Sequence, residues 1–210
     1  MRNFTVLLIS FVFVSTWVSA QYRNVTEEQK KDLLERITKV SNEMNSMQCE
    51  FTQVRELSFM DDKITSEGKM YFKKPNKIRW EYIKPYQYVF SSDGQNIRIT
   101  SGDKTNTVPA NQSKLFGEIS KVIVGGVSGS GLVDSPDFNV QFLAGNDDFK
   151  VVLTPQKKEV KDLFSAIQLF IGKQDNRIRS VELVEKGGDK TTITLKNLQV
   201  NTAINDETFK

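Results

Sequence analysis

The chain has 210 residues, 38% of them hydrophobic and 26% charged, a formal net charge of +3, no histidine and one cysteine. These counts exclude a Ser-His-Asp triad, a Cys-His dyad, imidazole ligation of a metal, an internal disulfide and a thiolate cluster. Charge is nearly balanced and no block of Lys or Arg stands out, so nucleic acid is not an expected partner.

The chain opens on a short basic start, Met1-Arg2-Asn3, followed by a nearly unbroken apolar run from Phe4 to Trp17 and the small-residue stretch Val18-Ser19-Ala20. This is the three-part plan of a secretory signal peptide, expected to be cut after Ala20. The run is shorter than the roughly 20 apolar residues of a spanning helix. No later run reaches that length, so stable membrane insertion is not expected. No Cys follows the cut, so acylation there is not expected either. Residues 21–210 read as a single exported domain. Its lone Cys49, beside Phe51 in an apolar pattern, reads as a buried thiol.

A helix is predicted from about Thr26 to Met47. Thr26 is a good N-cap, Gln29 completes a capping box, and Glu27 and Glu28 suit the positive end of the helix dipole. Leu33, Ile37, Val40, Met44 and Met47 recur at spacings of four and three, which places them on one apolar stripe. Such a stripe needs a partner surface, and a sheet is the natural one.

Strands dominate from Gln48 onward. In Lys77-Ile78-Arg79-Trp80-Glu81-Tyr82 charged and apolar residues alternate, which puts Ile78, Trp80 and Tyr82 on one face. Tyr86, Tyr88 and Phe90 repeat the pattern beyond Lys84-Pro85, and Asp93-Gly94 signals a hairpin leading to Ile97 and Ile99. Phe138, Val140 and Phe142 alternate, and so do Phe149, Val151 and Leu153 beyond a turn at Gly145 to Asp148. Further strands are predicted over Ala166 to Ile171, Ile178 to Glu185 and Thr191 to Val200, with a turn at Lys186 to Asp189. About eleven strands joined by short loops, with no alternating helices, predict an α+β fold. Its core is one strongly curved antiparallel sheet with helices on one side. Between the two sets of strands, Leu115, Phe116, Ile119, Val122 and Ile123 have helical spacing, and a glycine-rich tether from Gly125 to Gly131 follows.

Candidate chemistry is sparse. The glycine stretch lacks the Gly-Lys-Ser/Thr ending of a phosphate loop. Asp61-Asp62 and Asp147-Asp148 sit in polar turns and read as turn formers rather than a general acid and base. Asn24-Val25-Thr26 and Asn111-Gln112-Ser113 match the short glycosylation sequon, which matters only in a eukaryotic secretory route. No nucleophile has a base. Catalysis, a metal and a cofactor are therefore not expected. What remains is an excess of large apolar side chains, with Phe 14, Tyr 5 and Trp 2. They either fill a core under the helices or line a cavity for an apolar ligand.

One stretch carries a resemblance. Cys49-Glu50-Phe51-Thr52-Gln53 follows the first helix. Then come Gly68-Lys69-Met70-Tyr71-Phe72, Lys73-Lys74-Pro75-Asn76, the Trp80 strand, Lys84-Pro85 and Ser91-Ser92-Asp93-Gly94. In order and spacing this resembles the periplasmic outer-membrane lipoprotein carrier family of LolA-type chaperones. Asp147-Asp148-Phe149, Leu153-Thr154-Pro155 and the closing Asn197 to Phe209 segment are similar to the family as well.

The resemblance implies a half-open, incomplete β-barrel with a helical lid, and a cavity that holds the acyl chains of a lipoprotein crossing the periplasm of a Gram-negative bacterium. The implied partners are acylated lipoproteins, an inner-membrane lipoprotein-releasing ABC transporter and, where one exists, an outer-membrane acceptor. The protein would act as a monomer. By matched position Ile78, Trp80 and Tyr82 face the cavity. Phe51, Met70, Phe72, Tyr88 and Phe90 complete the expected acyl-binding face. Leu115, Phe116, Ile119 and Ile123 form the expected lid face, from their pattern alone. Lys74 falls where the family usually has an Arg whose hydrogen bonds hold the lid closed, and it offers a point donor instead of a planar fork. Many members also continue with a tail implied in passing cargo onward, whereas the last residue here is one beyond Phe209. Two other readings stay open: a sensor of lipids or misplaced lipoproteins built on the same fold, and a secreted enzyme with an unrecognised carboxylate site.

Overall fold

A computed structural model describes residues 22–110 and 136–210. In chain order these form β1 (Arg23–Asn24), helix α1 (Glu27–Glu43), β2 (Ser46–Glu56), β3 (Lys63–Lys73), β4 (Lys77–Lys84), β5 (Tyr88–Ser92), β6 (Asn96–Ser101) and β7 (Lys104–Pro109). They continue with β8 (Phe138–Ala144), β9 (Asp148–Pro155), a short helix α2 (Lys158–Lys161), β10 (Phe164–Gly172), β11 (Ile178–Glu185), β12 (Lys190–Val200) and a terminal 3-10 turn, Asp206–Phe209.

The twelve strands make one sheet in the order β1-β8-β9-β10-β11-β12-β2-β3-β4-β5-β6-β7, antiparallel at every pairing. Two meanders, β2 to β7 and β8 to β12, are thus joined where β12 pairs with β2. The ends of the order, β1 and β7, do not pair with each other, so the sheet is open.

The local signals act as expected. Thr26 caps α1: Gln29 N–H donates to its hydroxyl at 3.2 Å, and the Gln29 side chain accepts from Thr26 N–H at 2.9 Å. In the β5–β6 hairpin, Asp93 accepts from the backbone N–H groups of Gln95 and Asn96 at 2.9 and 2.8 Å, and from Arg98 at 2.7 Å. Burial alone would raise the Asp93 carboxyl, but these bonds hold it well below the usual carboxylate range. Gly94 takes φ +94°, a conformation open to glycine without strain.

Two elements differ from the sequence expectation. Helix α1 stops at Glu43, and Met47 is the second residue of β2 rather than the end of the helical stripe. The reason lies far away in sequence. Lys74 Nζ donates to the carbonyls of Ser41 and Asn42 at 2.9 and 3.0 Å, and the Asn201 amide donates to Glu43 O at 2.9 Å. These side chains satisfy carbonyls that a longer helix would have used internally. Tyr86 belongs to no strand; it stands 81% exposed in the loop after Pro85, and β5 begins at Tyr88.

Two clusters of buried residues lie on the sheet. In one, Leu33 and Ile37 of α1 pack on Phe142, Val151, Leu153, Ile167, Leu169, Ile171 and Ile178 of β8 to β11. The other comprises Met44, Met47, Cys49, Phe51, Met70, Phe72, Ile78, Trp80 and Ile193.

Candidate functional site: an aromatic face on β2 to β5

The second cluster contains the predicted site. Antiparallel register sets side chains of one face side by side. One row across β2, β3, β4, β5 and β6 is Met47, Phe72, Ile78, Ser92 and Ile97. The next is Cys49, Met70, Trp80, Phe90 and Ile99, and the third is Phe51, Gly68, Tyr82, Tyr88 and Ser101. All eight residues predicted for an acyl-binding face (Phe51, Met70, Phe72, Ile78, Trp80, Tyr82, Tyr88 and Phe90) therefore share one face of four adjacent strands. Five of them are buried, and Tyr82, Tyr88 and Phe90 are half-buried.

The aromatic rings interlock. Phe51 lies with its centroid 5.0 Å from Trp80 and 5.1 Å from Tyr82, and Tyr82 meets Tyr88 edge-on at 6.0 Å. Such tilted and edge-on pairs are the favoured arrangements of aromatic quadrupoles. Gly68 makes the packing possible, because a Cβ there would meet the Phe51 ring at 2.6 to 2.7 Å and the Glu81 carbonyl. Phe51 thus covers a glycine on the neighbouring strand, where β3 also carries a register shift against β4.

Polarity rises along the strands. The Met47 row holds one hydroxyl, Ser92, which is buried and accepts from Gly94 N–H at 3.3 Å. At the Phe51 row two tyrosines and Ser101 appear, and beyond it Gln53 faces Ser66. Tyr82 donates to Gln53 Oε1 at 2.8 Å. Burial pushes the Tyr82 hydroxyl up to about 12, while the nearby Trp80 indole N–H pulls the other way without reaching hydrogen-bond geometry. Burial likewise pushes the Cys49 thiol up to about 12, with a smaller effect from Glu50, so this cysteine is held as an inert thiol.

Lys74 is brought to the Met47 end of the face, bonded to the last turn of α1 as described. Helix α1 has no basic residue in that turn, and Lys74 places a positive charge at its negative end. The expected lid residues Leu115, Phe116, Ile119 and Ile123 lie outside the described residues. Met47, Cys49, Ile97 and Gln53 belong to the face although no site was assigned to them. The phase of alternation through Cys49, Phe51 and Gln53 was the available signal. For Met47 that phase was hidden by the helical spacing it also fits.

Neither of two surface depressions is lined by any of the eight residues. One, of 510 Å³, follows α1 between Lys31 and Glu43; the other, of 170 Å³, lies by Gln48, Lys69 and Asn197. Among the described residues no helix is long and apolar enough to cross a membrane, and no cluster of His, Cys, Asp or Glu is placed to hold a metal.

An open antiparallel sheet, packed by a helix over one half and faced with aromatic side chains over the other, defines the structural class. The sequence matches the family described as outer membrane lipoprotein carrier protein LolA over residues 42–210. The chain belongs to that family. It is 27% identical over 176 residues to an outer-membrane lipoprotein carrier protein of Cupriavidus pinatubonensis, covering 80% of this chain and 77% of that one. It is 22% identical to the one of Pseudomonas putida, covering 100% of this chain and 94% of that one. An uncharacterised conserved protein of Thermus thermophilus shares the fold with a TM-score of 0.52 at 13% identity, covering 86% and 92% of the two chains.

Proposed function

We propose that the protein is a periplasmic carrier that takes up the acyl chains of lipoproteins released from the inner membrane and conveys them toward the outer membrane. The observation that carries this reading is the one-sided face of β2 to β5, eight apolar and aromatic residues in three adjoining rows, in a member of this family. Acyl chains cannot cross water uncovered, and each Å² of apolar surface they hide is worth about 25 cal/mol. Rings of Phe, Trp and Tyr offer that area with few polar demands. The work is binding and transfer rather than catalysis. Residues 1–20 would direct export and be removed after Ala20. Lys74 would fix the C-terminal end of α1 beside the face, as the counterpart of the family's arginine. The relatives' names supply the cargo class; an ABC transporter that loads the carrier and an acceptor that unloads it complete the proposed route.

The test is transfer itself. Mature protein is mixed with vesicles holding the release transporter, a triacylated lipoprotein and ATP, and the soluble fraction is assayed for a one-to-one complex. An ATP-dependent soluble complex supports the carrier. If lipoprotein stays in vesicles that do release it to an established carrier, the proposal fails and a sensor of the same fold takes its place. Tyr88→Glu, at a half-buried position, is expected to abolish complex formation while leaving the far-ultraviolet circular dichroism of the sheet unchanged.

A further inference from the structure

The aromatic face contains one group that its packing does not explain. Trp80 is 6% exposed, and its indole Nε1 has no hydrogen-bond partner. The neighbouring Tyr82 hydroxyl donates to Gln53 Oε1 at 2.8 Å and does not take the indole proton in hydrogen-bond geometry. A buried donor left unpaired is costly, and native structures rarely keep one without a use. Phenylalanine at this position would supply a similar ring to Phe51 with no polar atom to satisfy.

The surroundings say what would satisfy it. Trp80 stands in the middle row, between the apolar Met47, Phe72 and Ile78 on one side and the Tyr82, Tyr88 and Gln53 side on the other. An amphiphile on this face is therefore sorted by the strands themselves, with hydrocarbon toward Ile78 and polar linkage toward Tyr82. A donor without an acceptor at that boundary calls for an acceptor without a donor. The carbonyl of an ester- or amide-linked acyl chain is such a group, and it sits where hydrocarbon ends.

We propose that the Trp80 indole N–H is the recognition donor for the acyl carbonyl, so that the face selects acyl chains over alkyl chains of equal length and sets their direction. This rests on the carrier reading above and adds a specificity to it. Neutral hydrogen bonds of this kind contribute up to about one power of ten in affinity.

The experiment uses two probes that differ only in the carbonyl, methyl palmitate and methyl hexadecyl ether, delivered from cyclodextrin to the exported protein. Trp80 is the one tryptophan beyond Trp17 of the signal segment, so indole emission and the ultraviolet resonance Raman band of the indole N–H report on this site alone. The expected result is ester binding about tenfold tighter than ether binding, with the N–H band shifted to its hydrogen-bonded position by the ester only. In Trp80→Phe, with binding read by separating bound from free probe because the variant has no indole, the ester should weaken about tenfold more than the ether, so that the two bind alike. Equal affinity for both probes in the native protein, or an unshifted N–H band with ester bound, overturns the carbonyl contact while leaving acyl binding standing. Binding of neither probe overturns the carrier reading and this inference together. The Raman measurement needs no variant, so it decides the question even if Trp80→Phe folds poorly.

Discussion

The two halves of this sheet solve the same problem differently. Over β8 to β11 the buried residues are aliphatic but for one ring, Phe142 (Val151, Leu153, Ile167, Leu169, Ile171 and Ile178 are the others), and α1 closes them with Leu33 and Ile37. Over β2 to β5 the inward residues are Phe, Trp, Tyr and Met, and α1 reaches them only past its end, through Met44. Branched aliphatic side chains interdigitate densely with a helix and leave no room for exchange. Rings and thioethers present large smooth areas that rearrange against a changing partner. In the proposed carrier one half stays shut and the other accepts a guest, and the seam between β12 and β2 holds both in a single sheet.

That contrast can be broken from either side. Leu169 is fully buried under α1, and Leu169→Ala is expected to cost about 2–5 kcal/mol of unfolding free energy, measured by denaturant titration. At a concentration of denaturant where the variant remains folded, acyl binding should be unchanged. In the aromatic half, Gly68→Ala forces a methyl group against the Phe51 ring and the Glu81 carbonyl. A loss of about 1–3 kcal/mol is expected, together with altered acyl binding and a changed Trp80 emission. If Gly68→Ala disturbs stability but leaves both of those readouts untouched, the division of labour between the halves is wrong.

A smaller effect is expected where the halves meet. Lys74→Met removes the two bonds to the Ser41 and Asn42 carbonyls and the charge at the end of α1. About 1 kcal/mol of stability and faster amide exchange in the last turn of α1 should follow, with Lys74→Arg restoring both. The smallest effect concerns the chain's end. Asp206 is bonded to Lys73 and Lys77, each at 2.7 Å, and those bonds hold its carboxyl at about 2 instead of its ordinary 3.8. Because the folded value is depressed, the stabilisation is present in full above 3.8 and is lost as pH falls toward 2. Asp206→Asn should flatten the melting temperature against pH in that window and little elsewhere. The group is exposed, so added salt should shrink the difference.

Much of this architecture was legible in local sequence. The Thr26–Gln29 capping box, the alternation through Ile78, Trp80 and Tyr82, and the Asp93-Gly94 turn each act over a few residues. Each appears where its pattern stands. The candidate face was legible in part through periodicity, because a strand's pleat sorts side chains by parity and so links Ile78, Trp80 and Tyr82 and links Tyr88 with Phe90; Phe51, Met70 and Phe72 came from the family resemblance. Gln53 was not assigned to the face because it is polar, although it shares the phase of Phe51. Met47 escaped because its spacing from Met44 and Val40 fits a helix as well as its spacing from Cys49 fits a strand. The orphaned indole of Trp80 was invisible, since a hydrogen bond that is not made depends on every neighbour.

By itself, then, the sequence determined most of the longer strands, though not β1 or β7, where the first helix begins, and which side chains of those strands travel together. Only the tertiary structure decided that β12 returns to pair with β2, with Lys190 opposite Glu56 and Val200 opposite Met47. It also decided that α1 lies over the aliphatic half, and that Lys74 and Asn201 end that helix at Glu43. The physical reason is range. Dihedral preference, capping and pleat parity are local properties of the chain, whereas the choice between equally apolar faces is made by packing and by carbonyls that need distant donors.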